Sequence, residues 1–281
     1  MNSINKLSIV VPIGKMAGRL ENLERTLNST KSNEIEWLLV HDHFENKTCI
    51  EIDELIQRCK PSGEVVRLET NHRGVGNARN TGLRAASGNW LCFVDSDDVA
   101  DISKYLEMLN KAALNRMVFG VGGYIHVEIK RAEYKRIIDV KKSNAKTLKE
   151  IAKHPGLWRW IVRRDRIAET EFYDVPMGED LLFIKDLNPD FNEIFFSQDV
   201  IYTYKVGDPE QATNNAASLK SISSSLRIAI QNDRQNGDLK YLSKRITFRI
   251  GISTLKRNPV SLFNLKLILE STINLKKYLF K

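Results

Sequence analysis

The apolar run Trp90-Leu-Cys-Phe-Val94 stops at Asp95, and Asp97 and Asp98 follow before Val99. A short apolar run closed by polar residues reads as a buried strand. Three carboxylates crowded at the end of such a strand repel one another and lose hydration, so the cluster needs a compensating partner. A divalent cation is the usual one, and an all-oxygen ligand set favours Mg²⁺ or Mn²⁺. The competing reading is a helix N-cap, where Asp is favoured. A cap accounts for one of the three carboxylates, or two at most, and leaves the third without a reason.

The residues ahead of this strand set its context. Leu7-Ser-Ile-Val-Val-Pro12, Glu36-Trp-Leu-Leu-Val40 and Glu64-Val-Val-Arg-Leu68 read as three earlier strands. Helical spacing over Leu20–Thr30 and Cys49–Cys59 separates them. Alternation of this kind predicts an α/β fold with a parallel sheet. Ligands of such sheets sit beyond the carboxyl ends of the strands, which places Asp42 and the Asp95 cluster on one rim.

Between the third and fourth strands the chain reads Ala78-Arg-Asn-Thr-Gly82, then Ser87-Gly-Asn-Trp90, then Asp95-Ser-Asp-Asp98. Runs of this form, in this order and at this spacing, resemble the inverting glycosyltransferases of family 2. The resemblance covers roughly residues 7–205 and is densest over 71–99. It implies a GT-A fold: a nucleotide-sugar transferase sheet, mostly parallel and flanked by helices. It also implies a nucleoside-diphosphate sugar as donor, expected to be a UDP-sugar, with Mn²⁺ or Mg²⁺ as cofactor. Asp97 is then the direct metal ligand, Asp95 a second contact to metal and donor, and Ser96 a donor contact. Family members carry a Glu-Asp pair at the distance where Glu179-Asp180 stand here, and its Asp is the base. Read without the family, Glu179-Asp180 is an acidic helix start before Leu181-Leu-Phe183.

Pro12 and Asp42 fall where the family binds ribose and base, yet the surrounding residues depart from its pattern. Pro12-Ile-Gly-Lys15 replaces a Pro-x-aromatic-Asn run, and His41-Asp-His-Phe-Glu45 lacks the acid, Gly and Ser that commonly follow the Asp. His41 and His43 read as exposed hydrogen-bonding groups rather than a metal pair. Arg79 is placed to reach the donor diphosphate or to orient the aspartates. Arg73 is a second, weaker candidate for that role and reads first as a solvated helix-face charge. Trp158 and Trp160 are candidates for stacking on an acceptor sugar, and a core position explains Trp160 equally well. Tyr202 and Tyr204 read as packing. Gly74-Val-Gly76 lacks the third small residue of a dinucleotide fingerprint, and Gly14-Lys-Met-Ala-Gly18 lacks the ending of a P-loop.

Charge divides the chain. Of 281 residues with a net charge of +8, the stretch from Leu239 to Lys281 holds ten Lys or Arg against one acid, Glu270. A nucleic-acid binder usually spreads its basic charge over a folded face, so no nucleic-acid partner is expected. The expected division is a catalytic domain over 1–206, with donor and acceptor halves meeting near residue 100, and a basic helical region over 207–281. Helices are read at Leu219–Gln231, Leu239–Lys256 and Pro259–Phe280. Their apolar positions admit two readings, docking on the protein or lying on an anionic membrane surface beside a lipid-linked acceptor. Cys49, Cys59 and Cys92 have no metal-ligand spacing and suit a reduced compartment. Neither a signal peptide nor an apolar stretch of about 18 residues is visible. The expected setting is therefore cytoplasmic, peripheral at the inner face of the membrane under the second reading. By family analogy the product is a bacterial surface polysaccharide. Two rivals remain: a sugar-phosphate nucleotidyltransferase, for which Gly14–Arg19 is a poor signature loop, and a basic membrane- or nucleic-acid-binding protein with a degenerate transferase domain.

Overall fold

The computed structural model of the protein describes residues 6–14, 20–42, 46–129, 133–137, 150–207, 216–235 and 239–257. The first half runs β1 (Leu7–Ile13), α1 (Leu20–Leu27), β2 (Ile35–His41), α2 (Asn46–Cys59), β3 (Glu64–Glu69), α3 (Val75–Ala85), β4 (Trp90–Phe93), β5 (Val99–Ala100) and α4 (Ile102–Leu114). The second runs β6 (Phe119–Glu128), β7 (Glu133–Ile137), β8 (Trp160–Arg163), α5 (Arg164–Ile167), α6 (Glu179–Leu187), β9 (Ile194–Val206), α7 (Ala216–Gln235) and α8 (Tyr241–Arg257). The described strands form one sheet in the order β3-β2-β1-β4-β8-β6-β9-β5, with β7 beside β6. The parallel pairing read from the sequence holds for β3-β2-β1-β4. Past β4 the sheet is mixed, because β8 enters antiparallel to both β4 and β6.

Two compact units divide the chain. The first, Met1–Lys141 with Trp158–Glu169 and Glu193–Gly207, carries every described strand and α1 to α5. The second, Lys142–Leu157 with Thr170–Asn192 and Asp208–Lys281, carries α6, α7 and α8.

In the first unit both faces of the sheet are covered, which is why β1 and β2 are buried along their whole length. Leu7, Ile9, Val11 and Ile13 join Ile35, Trp37 and Leu39 in a core with Leu23 and Leu27 of α1, Ile52 and Leu55 of α2, and Tyr105 and Met108 of α4. The alternate residues meet α3. A Cβ on Gly82 would lie 2.5 Å from Val10 Cγ1 and 3.2 Å from Val40 Cγ2, so α3 rests on the sheet at a distance only glycine allows. The Ser87-Gly88 turn after α3 is fastened the same way. Buried Glu36 accepts from the Ser8 hydroxyl (2.5 Å), the Ser87 N–H (2.8 Å) and the Ser87 hydroxyl (2.6 Å), while Gly88 N–H donates to Ser8 Oγ (2.8 Å). Burial pushes the Glu36 carboxyl up, but these hydrogen bonds and the Lys6 charge outweigh it and hold it below its ordinary value. The Ser-Gly half of the motif is therefore scaffold at the amino ends of β1 and β2.

β6 runs past Gly122-Gly123 without a break, and its register against β9 shifts around Gly123. At this irregularity the Gly122 carbonyl accepts from Arg159 Nε (2.8 Å), which is fully buried.

In the second unit Leu242, Ile246 and Ile250 of α8 are fully buried, as are Leu226 and Ala229 of α7. Over these residues the apolar positions of the basic region are covered by protein. The helix read at Pro259–Phe280 lies outside the described residues. Among the described residues no helix is long and apolar enough to cross a membrane.

Candidate active site

The carboxyl ends of β1, β2 and β4 bring Pro12, Asp42 and the Asp95 cluster together on one rim of the first unit. Asp42 N–H donates to Ile13 O (2.9 Å), and Asp42 Oδ1 accepts from the N–H of Gly74 (2.5 Å). Gly74 stands before α3 at φ 118°, a conformation that suits glycine. The loop ahead of α3 is thus tied to the end of β2. His41 corrects the sequence reading. Its ring is buried, with Nδ1 3.8 Å from Cys49 Sγ, and burial together with the Arg67 charge lowers its pKa against the pull of Asp53. It is a neutral core group; His43 lies outside the described residues.

Each acid of the Asp95–Asp98 turn has a different environment. Arg79, buried on α3, donates from Nη2 to Asp95 Oδ1 (2.8 Å), so it is not a solvated helix charge. Asp98 is 2% exposed, and its oxygens accept from Tyr202 OH (2.9 Å) and Lys205 N–H (2.7 Å). Burial first, then the charges of Asp97 and Asp95, push the Asp98 carboxyl well above its usual range. Tyr202 OH also accepts from Asp95 N–H (3.3 Å), and burial beside Asp98 keeps the phenol protonated. Asn22 on α1 donates to Asp97 O (2.8 Å) and accepts from Lys205 Nζ (2.6 Å). Ser96 is 9% exposed, while Asp95 and Asp97 keep partly exposed side chains. The N-cap reading of the cluster fails, because α4 is capped by Asp101, whose side chain accepts from Lys104 N–H.

Tyr202 and Lys205 are the residues that sequence reasoning missed. They lie more than 100 positions from the aspartates and reach them through the short β5–β9 ladder, which pairs Val99 with Thr203 and Ala100 with Tyr202. Tyr202 also stacks on Trp158 (centroids 4.5 Å apart, planes at 10°), and Tyr204 stacks on the same indole at 5.3 Å. Trp158 is partly buried against Tyr124 as well, and its carbonyl accepts from Tyr105 OH. Trp160 is 2% exposed and meets Phe119 edge-on, so its indole has no face left for a sugar. Arg73 is exposed.

Glu179 and Asp180 lie in the second unit as the first two residues of α6. The cap itself is Gly178 in the left-handed region (φ 88°), without a side-chain cap. Both acids therefore sit where the helix dipole favours negative charge. Glu179 is 7% exposed and Asp180 is more open.

The family model described as Glycosyl transferase family 2 matches residues 8–178, which spans the rim and ends at the Gly178 cap. The chain belongs to Glycosyl transferase family 2. Relatives of this family 2 protein include an uncharacterised glycosyltransferase of Haemophilus influenzae, 25% identical over 209 residues, 74% of this chain and 82% of that one. An uncharacterised glycosyltransferase of Rickettsia bellii is 27% identical over 124 residues, 44% of this chain and 17% of that protein. EpsJ of Bacillus subtilis is 25% identical over 189 residues, 64% of this chain and 53% of EpsJ. The chain therefore spans about half or less of two of these relatives. The crystal structure of Staphylococcus aureus TarS 1–349 in complex with UDP-GlcNAc superposes with a TM-score of 0.70 at 17% identity, over 95% of this chain and 79% of that chain. The mannosyltransferase PcManGT of Pyrobaculum calidifontis, in complex with GDP-Man and Mn²⁺, gives 0.58 at 13% identity, over 95% and 73%. At these identities the likeness is one of fold, and the family 2 chain has the expected α/β GT-A fold.

The donor set of this family 2 site fits a hard divalent ion. Among the described residues no group of three or more His, Cys, Asp or Glu is arranged to hold a metal on its own. Asp98 is turned to Tyr202 and Lys205, whereas Asp95 and Asp97 keep partly exposed carboxylates at the rim. One or two carboxylates suit Mg²⁺ or Mn²⁺ when substrate phosphates and water fill the remaining positions.

Proposed function

We propose that this chain transfers a sugar from a nucleoside-diphosphate donor to an acceptor hydroxyl with inversion at the anomeric carbon. The observation that carries the reading is the division of labour in the Asp95–Asp98 turn. Arg79 fixes Asp95, Asp98 is sealed beneath, and Asp97 stays at the rim. Family membership supports the same chemistry, and the complexes of TarS with UDP-GlcNAc and PcManGT with GDP-Man favour a nucleotide-sugar donor.

In this reading Asp42 and the backbone around Pro12 receive base and ribose, while Ser96 and Asp95 face the donor. Asp97, with Asp95, would hold Mn²⁺ or Mg²⁺, which would supply positive charge to neutralise the departing diphosphate. Asp180 accepts the proton of the acceptor hydroxyl as its oxygen attacks the anomeric carbon from the face opposite the diphosphate. The bond from that carbon to the diphosphate oxygen breaks, and the nucleoside diphosphate leaves. Glu179 supports the base, and Trp158 offers the aromatic contact for an acceptor sugar. A UDP-sugar is the expected donor and a surface glycan the expected product. A lipid-linked acceptor is favoured if 259–280 meets an anionic membrane. Flotation of the full chain with anionic vesicles, compared with a chain ending at residue 257, tests that last point.

Acceptor-free hydrolysis of a panel of UDP-, GDP- and dTDP-sugars with Mn²⁺, followed by NMR of the released sugar, tests the chemistry. One donor should be cleaved with inverted configuration, and Asp180→Asn should bind it without turnover. Retention of configuration, or full turnover by Asp180→Asn, contradicts the reading.

A further inference from the structure

The turn that delivers Glu179 and Asp180 is held from outside its own segment. Ser225, in the middle of α7, is fully buried, and its hydroxyl donates to Met177 O at 2.5 Å. A buried helical serine ordinarily spends that proton on a carbonyl one turn back in its own helix. Here it is spent on the residue before the Gly178 cap. Gly178 leans on the same side chain: a Cβ there would lie 3.2 Å from Ser225 Oγ and 3.3 Å from Ser225 Cβ. Its φ of 88° also disfavours any side chain at the cap.

The far end of α6 is fastened to the same helices. Lys185, fully buried, lies 3.0 Å from the buried carboxylate of Asp233 on α7. Asn232 of α7 donates to Asp186 (3.0 Å), and Ser243 of α8 donates to Lys185 O (2.9 Å). Asn188, just past α6, accepts from Lys240 N–H (2.7 Å). With both ends pinned, the short helix has little freedom to slide or rotate, and the direction in which its first residues point is set by α7.

We propose that Ser225 is a positioning residue for the transfer reaction, acting through the Met177–Gly178 turn to aim Asp180 at the acceptor oxygen. The basic C-terminal region, in this account, is part of the catalytic apparatus as the support of α6. The inference rests on the reading of Asp180 as the base.

The test uses the full chain, Mn²⁺, and UDP-GlcNAc or GDP-mannose, whichever the wild type hydrolyses. Ser225→Ala, Asp180→Asn and the double variant are compared for hydrolysis rate and, by calorimetry, for donor affinity. Ser225→Ala should keep donor affinity within about twofold and slow hydrolysis on the order of tenfold to a hundredfold, as expected for a misaimed group. The double variant should be no slower than Asp180→Asn alone. Where Ser225→Ala does not fold, Ser225→Cys keeps the volume with a weaker donor and is read the same way. A wild-type rate for Ser225→Ala beside an inactive Asp180→Asn overturns the positioning role and leaves the base in place. A double variant slowed by the product of the two single effects overturns it as well. If Asp180→Asn hydrolyses at the wild-type rate, the base assignment itself falls, and the role of Ser225 with it.

Discussion

Replacing Glu36 by alanine removes the one acceptor shared by three donors at the amino ends of β1 and β2. The Ser8 hydroxyl is fully buried and accepts on its other side from Gly88 N–H, whereas Ser87 is exposed and its N–H turns to water once the carboxylate is gone. A buried donor left unsatisfied costs about 1–3 kcal/mol, and stranding the Ser8 hydroxyl should cost about that much. The Ser87 hydroxyl adds little, because Ser87 is exposed and its proton turns to water. Set against a net stability of roughly 5–15 kcal/mol, such a loss is visible in any urea titration. Glu36→Gln keeps one oxygen for Ser8 and Ser87 N–H and turns its amide toward Ser87 Oγ, so it should cost about 1 kcal/mol. The pH dependence follows from the lowered pKa of Glu36. Its contribution is present above the unfolded carboxyl value of about 4.3 and is lost as pH falls through the folded value below it. Wild type should therefore lose stability below about pH 4 more steeply than Glu36→Gln. Urea midpoints by circular dichroism at pH 7 and pH 3.5 measure both effects. A loss below about 1 kcal/mol for Glu36→Ala would show that Glu36 is not the hub of this corner. So would an acid response of Glu36→Gln as steep as that of wild type.

Loss of the guanidinium in Arg79→Met strands Asp95 beside two further acids. It should destabilise the fold by about 1.5–3 kcal/mol and slow donor hydrolysis at least tenfold, whereas Arg79→Lys recovers charge without the fork and lands between. Denaturation and hydrolysis assays on both variants check the order. Tyr202→Phe deletes the hydroxyl under Asp98 but keeps the ring against Trp158. A cost of about 1.5–3 kcal/mol with an unchanged near-ultraviolet dichroism spectrum is expected; a loss of that spectrum would show that the ring had moved as well.

The first four strands and the helices between them are legible because parallel strands covered on both faces leave apolar runs such as Ile9–Val11 and Trp90–Val94. The acidic turn is legible for the converse reason, since clustered carboxylates after such a run have no structural gain to explain them. β8 escapes, because a four-residue strand ending in Arg163 has too short a pattern to stand out from its surroundings. Glu36 reads as a polar residue at a strand edge, and only the paired register Ser8–Glu36 shows it as a buried hub. His41 looks exposed by alternation, but α2 covers that face and brings Cys49 against the ring. The support of Asp98 by Tyr202 and Lys205 depends on β9 running beside β5, a pairing across more than a hundred residues that no local pattern encodes. A separation of 48 residues likewise hides the clasp of Ser225 on Met177.

In the proposed reaction Asp97, at the rim beside Asp95, binds a nucleotide sugar through a divalent ion. Calorimetric titration of UDP-GlcNAc and GDP-mannose into wild type and Asp97→Ala, each with Mn²⁺ and with EDTA, tests it most directly. Wild type should bind one donor only when Mn²⁺ is present, and Asp97→Ala should bind neither. Equal binding by Asp97→Ala, or wild-type binding unaffected by EDTA, would contradict that role of Asp97.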